Sequence, residues 1–192
     1  MSIQKINPRF AVLVLFMVAA AALRLASTFS TGWSPLEVLT PIGAMALFGG
    51  AHFGGNWKPF AFPLLTLFIS DLVLSFTIHS NYRSGLLYQG WIWTYGAFAL
   101  MAVAGKLIIK TVNIKNFLAG AIVITVIHWL VSDIGGCLVQ NDSAGMLTVY
   151  LQRLVSAIPY EWKFLLGTLI FGGIMFGAFE WMGRRYPQLR LA

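Results

Sequence analysis

The feature that most constrains this chain is a succession of long apolar runs, several of them close to membrane-spanning length and nearly free of charge. A helix that crosses a bilayer needs about 20 mostly apolar residues, because its backbone N–H and C=O groups must pair within the segment. Hydrophobic residues make up 58% of the chain and charged residues 10%, which is far too apolar for a soluble globular domain. The sequence predicts an all-α integral membrane protein.

The apolar runs predict a six-transmembrane-helix bundle in a single membrane domain, residues 1–192. The second run is weak, because its purely apolar part "PIGAMALFGGAHF" is short and Pro41 stands where the helix would begin. Between the last two runs, apolar residues at 147, 151, 154, 155 and 158 follow a helical period and predict a short amphipathic helix over one mouth of the bundle. The six spans are predicted at about 10–27, 36–53, 60–78, 87–109, 117–139 and 164–182.

The Lys and Arg residues predict the orientation, because cytoplasmic loops carry an excess of them. With a cytoplasmic N-terminus, all the basic residues fall inside except Arg24, Arg83, Arg153 and Lys163. We therefore expect a bacterial cytoplasmic (inner) membrane location with both termini cytoplasmic. The net charge of +7 follows from this sorting and from contact with membrane lipid, so it implies no nucleic-acid partner.

Polar residues inside the predicted spans are the first candidate functional groups. A carboxylate such as Asp71 near the bilayer midplane costs about 2.5–3.5 kcal/mol, so it must face the bundle interior. There it is either protonated or hydrogen-bonded to a neighbouring Ser or Thr and fixes helix packing, or it braces a solute cavity. The fifth span adds His128 and Asp133, and for His128 the alternative is an ordinary hydrogen-bonded core histidine. Cys137 is a lone cysteine whose reactivity the sequence leaves open.

The loops between odd- and even-numbered spans open on one side of the membrane and concentrate polar and aromatic residues there. Each residue singly would be an ordinary interfacial one, but a pocket needs a few convergent polar groups among aromatic walls. Their concentration at one mouth therefore favours a substrate-binding site. The candidates for it are Trp33, His79, Tyr82, Arg83, Trp91, Tyr150 and Arg153, with Asp71, Asp133 and His128 as supporting buried groups.

Enzyme signatures are missing from the sequence: it has no H-E-x-x-H, no G-x-S-x-G, no P-loop and no Gly-rich dinucleotide motif. We therefore expect no catalytic residues and no intrinsic cofactor. Two other interpretations stay open, a membrane-embedded enzyme that uses the buried acids and histidines, and a structural or assembly subunit. Ala22 and Ala26 form a small-xxx-small pair, as do Gly173 and Gly177, and such pairs serve helix packing within the chain or docking of a partner.

Three segments carry a resemblance to a known family: "LTPIGAMALFGGAHF", "FPLLTLFISDLVLSF" and "TVYLQRLVSAIPYEWKFLLGTLIFGGIMFGAFEWM". They resemble small bacterial transport proteins related to the substrate-binding S components of energy-coupling-factor (ECF) vitamin transporters. The resemblance implies six helices, cytoplasmic termini and an outward-facing solute pocket. It also implies that Ala22 and Ala26 would dock an ECF-type coupling subunit with its ATPases, unless the protein works as a solitary transporter.

The solitary branch of that family suggests cobalamin as the leading single candidate for the transported ligand. Members of that branch supply a thiolate from the loop after the third helix to cobalt. This chain has "FTIHSNYRSG" there, without a cysteine but with His79, and a neutral imidazole is also a competent cobalt ligand. The resemblance therefore makes His79 the candidate metal ligand. Another vitamin or heterocyclic solute is the alternative.

Overall fold

The computed structural model describes residues 7–29, 39–139 and 145–189, which form helices joined by short connections. A two-stranded antiparallel hairpin, β1 (Arg83–Ser84) and β2 (Leu87–Tyr88), connects the third helix to the fourth. Five of the described helices are long and apolar enough to cross a membrane, so the all-α membrane class is confirmed. The helices are α1 (Pro8–Phe29), α2 (Ile42–His52), α3 (Lys58–Phe76), α4 (Trp91–Ile108), α5 (Ile114–Val139) and α6 (Met146–Arg185).

The short helix α2 forms the centre of the bundle and contacts all five long helices. Every residue from Gly43 to Gly50 is buried, as expected for a helix that is apolar on all sides. Its 11 residues span about 16 Å, roughly half of the ~30 Å hydrocarbon core. The weak second run is therefore a central helix that fills only part of the bundle's depth.

Glycines let the other helices approach α2 closely. A Cβ atom added at Gly50 would collide with the carbonyl oxygen of Ala102, and one added at Gly105 would lie 2.7 Å from the carbonyl oxygen of Leu47. Small residues at such positions allow backbones to meet, and membrane helices rely on this packing because lipid gives them little hydrophobic drive to associate. The motif "GAMALFGGA" thus specifies the core of the fold.

The sequence predicted a short amphipathic helix followed by a separate last span, and this prediction is wrong. The structure has one continuous helix of 40 residues with Pro159 inside it. Proline removes only its own N–H, which would have bonded the carbonyl of Val155, and membrane helices tolerate that loss. Residues Gln152, Ser156, Tyr160 and Phe164 follow one another at intervals of four and so share one face of α6.

The first and last described residues, Asn7 and Leu189, lie at the same end of the bundle, which we call the terminal end; the opposite end, with β1 and β2, is the hairpin end. Arg9 donates hydrogen bonds to the carbonyl oxygens of Leu189 (2.5 Å) and His52 (3.1 Å), and Lys106 donates to that of Gly55 (3.1 Å). Basic residues collect there, as the sequence predicts; the compartment that this end faces stays a prediction. They are Arg9, Lys58, Lys106, Lys110, Lys115, Arg184 and Arg185.

Candidate functional site

Asp71 forms a buried ion pair with Arg24. Its side chain is 2% exposed, and Arg24 Nη2 donates to Asp71 Oδ1 at 2.5 Å. Arg24 Nη1 also donates to the hydroxyl of Ser70, and the phenol of Tyr95 donates to Asp71 Oδ2 at 3.1 Å. A buried charge needs this combination of a counterion and further hydrogen bonds. The acid therefore joins α1, α3 and α4 at one point.

This pair corrects one expectation. The partners of Asp71 are an arginine and a tyrosine on neighbouring helices, Arg24 of α1 and Tyr95 of α4. The alternative that Asp71 fixes helix packing agrees with these contacts, although the expected Ser or Thr partner is not the one observed. A partial signal was available in the sequence, because a carboxylate at membrane depth needs a polar partner and Arg24 is the one charged residue in the predicted first span. Only the packing of α1 against α3 identifies it as that partner.

Tyr88 extends this cluster toward the hairpin end. Burial of its ring, together with the nearby Asp71 carboxylate, raises the pKa of the Tyr88 phenol to about 12. The phenol therefore stays neutral at physiological pH and keeps a proton that it can donate. Tyr88 lies just before α4, and Tyr95 lies one turn inside it. The phenols of both residues therefore lie near the carboxylate of Asp71.

A second polar pair joins α5 to α6. His128 Nδ1 lies 2.7 Å from Glu161 Oε1, and the imidazole stacks on the ring of Phe164 at 4.3 Å with an interplanar angle of 9°. Glu161 is 8% exposed, and its Oε2 has no hydrogen-bond partner among the described residues. The His128 side chain is partly buried, at 25% exposed, and its partner is a glutamate that sequence reasoning missed. Glu161 precedes the buried Thr168 by seven residues, which places it on the inner face of α6.

A polar cavity of about 420 Å³ lies between α5 and α6 on the hairpin side of this pair. At its wall Arg153 Nε is 3.9 Å from Asp133 Oδ1, and the hydroxyl of Ser156 donates to the carbonyl oxygen of Gln152 at 2.9 Å. We call this space the hairpin-end cavity. Its lining residues are Asp133, Val149, Gln152, Arg153, Ser156, Ala157 and Tyr160.

The hairpin-end cavity exists because α2 is short. Gly43, in the first turn of α2, packs directly against Thr168 and Phe164 of α6. From that level to the terminal end, α2 covers the inner face of α6. Toward the hairpin end the same face continues through Tyr160 and Ser156, which are exposed among the described residues. No described helix therefore covers the polar part of the inner face of α6 toward the hairpin end.

Comparison with known proteins places the chain in a family. Residues 4–189 match a family of unknown function, DUF6580. The chain belongs to the DUF6580 family. No curated protein and no solved structure matches it.

Of the predicted binding residues in this DUF6580 protein, Arg153 lines the hairpin-end cavity together with the supporting Asp133. The phenol of Tyr150 lies beside them and donates to the carbonyl oxygen of Leu130 at 2.7 Å, which fastens α6 to α5. Cys137 is buried next to this group, and its thiol donates to the carbonyl oxygen of Asp133 at 3.2 Å. Of the predicted binding residues, Tyr150 and Arg153 are therefore brought together by α5 and α6.

The other predicted residues lie around α3 and α4. His79 is exposed in the turn after α3, and the guanidinium of Arg83 lies over the ring of Phe76 at 4.4 Å. Trp91 meets the ring of Tyr95 edge-on at 5.4 Å. None of these three side chains lines the hairpin-end cavity. Trp33 and the side chain of Tyr82 lie outside the described residues.

Metal ligands do not cluster in the described part of this DUF6580 protein. Within residues 7–29, 39–139 and 145–189, no three His, Cys, Asp or Glu side chains come close enough together to hold a metal ion. A corrinoid brings its own cobalt and needs a single axial ligand, so the cobalt-binding role of His79 stays a prediction.

The two small-residue pairs lie on the outside of the bundle. Ala22 and Ala26 are exposed on α1, and a Cβ atom added at Gly173 or Gly177 would have open space around it among the described residues. Packing against another described helix therefore does not explain these pairs. Docking of a partner helix at Ala22 and Ala26 stays a prediction.

Proposed function

We propose that this protein is an S-component-like, substrate-binding membrane transporter that takes up a vitamin or a related small molecule. The observation that carries the proposal is the hairpin-end cavity, which α2 leaves open on the inner face of α6. In this proposal the protein lies in the bacterial inner membrane with both termini cytoplasmic. The solute then enters at the hairpin end and leaves toward the cytoplasm.

The chemistry of the cavity suits a solute with both hydrogen-bond donors and acceptors. Arg153 offers donors to an anionic or carbonyl edge, Asp133 offers acceptors, and the phenol of Tyr160 presents an aromatic wall. Its volume of about 420 Å³ lies near the lower end of the roughly 300–1,000 Å³ typical of small-molecule sites. The volume therefore favours a compact heterocyclic vitamin over a whole corrinoid, although cobalamin is the one solute that the resemblance names.

Two buried pairs support the walls of such a site. Arg24 with Asp71 holds α1 and α3 together, and His128 with Glu161 holds α5 and α6 together. Breaking the Arg24–Asp71 ion pair, or removing one partner of the His128–Glu161 hydrogen bond, leaves a buried polar group without its partner, so each pair fixes the relative position of its helices. We assign them a positioning role, in which they brace the bundle on either side of α2 and do not themselves contact solute.

The energy source for transport would come from elsewhere, since the chain has no P-loop. Ala22 and Ala26 present small side chains on the outer surface of α1. Small residues permit close helix approach, so this strip suits an ECF-type coupling subunit that carries the ATPases. A solitary transporter would leave the strip in contact with lipid.

Titration calorimetry of the purified protein against a panel of vitamins tests the proposal. We expect one compound to bind, with affinity reduced at least tenfold in Arg153→Gln and unchanged in the control Arg185→Gln, which lies in the last turn of α6 at the terminal end, away from the cavity. Failure of every compound to bind would contradict the transport proposal. Failure of every corrinoid alone would remove cobalamin, and unchanged corrinoid affinity in His79→Ala would remove the ligand role of His79.

A further inference from the structure

A second cavity, of about 390 Å³, lies at the terminal end, on the opposite side of α2 from the hairpin-end cavity. We call it the terminal cavity. It is bounded by the last turn of α2, the start of α1, the α4–α5 connection and the last turns of α6. The proposed function does not use it. The residues that matter for its chemistry are Arg9, His52, Lys110, Glu180 and Arg184.

His52 lines this cavity with a buried imidazole. The side chain is 4% exposed and packs among Phe48, Phe176 and Phe179, with ring centroids 4.3 to 5.0 Å away. Its Nδ1 lies 3.2 Å from the carbonyl oxygen of Phe48, which only accepts hydrogen bonds, so Nδ1 carries the proton. In the neutral ring Nε2 is then an acceptor. It has no hydrogen-bond partner among the described residues.

The neighbour of this nitrogen does not supply the missing donor. Glu180 Oε1 lies 3.8 Å from His52 Nε2, beyond hydrogen-bond distance, and an ionised carboxylate only accepts. A hydroxyl group carries one proton, so an occupant that donates it to His52 Nε2 supplies the partner that this nitrogen lacks. A buried polar atom without a partner is costly, so an occupant with an O–H group fits this position.

Positive charge dominates the rest of the cavity. Among the described residues that line it, Arg9, Lys110 and Arg184 are cationic and Glu180 carries the one carboxylate. Arg9 is fixed by its hydrogen bonds to Leu189 and His52 and by the ring of Phe179, 5.2 Å below its guanidinium. Basic pockets between membrane helices attract phosphate headgroups. The cavity therefore combines a cationic rim with a hydroxyl acceptor at its base.

We propose that the terminal cavity binds a phosphate group that carries a hydroxylated substituent, that is, a glycerophosphate. The phosphate lies among Arg9, Lys110 and Arg184, and a glycerol hydroxyl donates to His52 Nε2. The cavity opens at the end of the bundle where the basic residues collect, at the level of lipid headgroups. Its occupant is either the headgroup of phosphatidylglycerol or a soluble glycerophosphate.

Native mass spectrometry of the detergent-solubilised full chain tests this site by measuring the fraction of protein that carries one bound probe molecule. The probes are phosphatidylglycerol, phosphatidylmethanol, which has the same charge but no headgroup hydroxyl, phosphatidylcholine, and soluble glycerol 3-phosphate. We expect phosphatidylglycerol to bind several-fold more tightly than phosphatidylmethanol. Preference for glycerol 3-phosphate over the lipid would keep the phosphate site and assign it to a soluble ligand. Equal binding of phosphatidylglycerol and phosphatidylcholine would overturn the proposal.

Variants locate the binding within the cavity. Removing one cation near the membrane surface costs about 1 kcal/mol, so Lys110→Gln should weaken binding of phosphatidylglycerol about fivefold. Lys115→Gln, at the same end but outside the cavity, is the matched control and should change nothing. Equal effects of the two substitutions would reveal a diffuse surface charge and contradict a discrete site. His52→Phe, checked for folding by its melting temperature, should abolish the preference over phosphatidylmethanol.

Discussion

Asp71→Asn should strongly destabilise the protein, because it removes a charge from the centre of the α1–α3–α4 contact and leaves its partner in place. Arg24 has only 14% of its side chain exposed, and its remaining described side-chain partner would be the hydroxyl of Ser70. Breaking a buried ion pair from one side costs about 3–5 kcal/mol. We expect about 3 kcal/mol, at the lower end of that range, because the introduced asparagine could still accept a hydrogen bond from Tyr95.

The double substitution distinguishes a true pair from two unrelated buried residues. Arg24→Met alone leaves the Asp71 carboxylate buried without a counterion, so it should also cost about 3 kcal/mol. Arg24→Met with Asp71→Asn leaves no buried charge, so its cost should fall below the sum of the two single costs by about 2 kcal/mol. Residues in direct contact typically show coupling energies of this size.

The assay is unfolding of the purified protein in mixed micelles, followed by tryptophan fluorescence, since the chain has seven tryptophans. The free energies of unfolding of the wild type, the two single variants and the double variant together give the coupling energy between Arg24 and Asp71. Arg83→Met is the control: its guanidinium is exposed over Phe76, and loss of that contact should cost no more than about 1 kcal/mol. Single costs below about 1 kcal/mol that add in the double variant would refute the buried pair.

Three further predictions concern packing and pH. Gly50→Ala should destabilise the protein by about 1–3 kcal/mol, because the new Cβ meets the carbonyl oxygen of Ala102. Gly54→Ala is the control: its Cβ would have open space among the described residues, so its melting temperature should not change. Glu161→Leu should cost about 1–3 kcal/mol by removing the partner of a half-buried imidazole, and an unchanged melting temperature would show that the contact is unimportant. The pKa of Tyr88 is raised from 10.0 to about 12, so between these pH values the folded state holds a proton that the unfolded chain releases. The free energy of unfolding should therefore fall as the pH rises from 10 to 12, and it should fall less in Tyr88→Phe.

The helical framework could be predicted from the sequence, because membrane solvation acts on local composition. Long apolar runs predicted the spans, and the all-apolar pattern of Ile42–His52 agrees with its central position. The ends of the helices depend on longer-range packing. Pro159 and the polar residues before it favour a break in the helix, but α6 continues across them. That continuity is visible in the sequence only when residues four apart are followed along the whole helix.

The candidate site was predicted in part, for a related reason. Asp71 and His128 were identifiable as buried polar residues because single charges in apolar runs are conspicuous. Their partners Arg24 and Glu161 lie near the ends of apolar runs, where polar residues are ordinary. Only the packing of α1 against α3 and of α5 against α6 shows that they pair with Asp71 and His128. Arg153 and Asp133 meet because α6 extends to the hairpin end, which the predicted break did not anticipate.

The most direct test of the central claim, that the hairpin-end cavity holds a small solute, is native mass spectrometry of the protein released from bacterial membranes without added ligand. The comparison is between the wild type, Ser156→Trp, which fills the cavity, and Val155→Trp, which adds the same bulk at an exposed position outside it. We predict one small-molecule adduct on the wild type and on Val155→Trp, and none on Ser156→Trp. A wild type without an adduct, or the same adduct on Ser156→Trp, would contradict the claim.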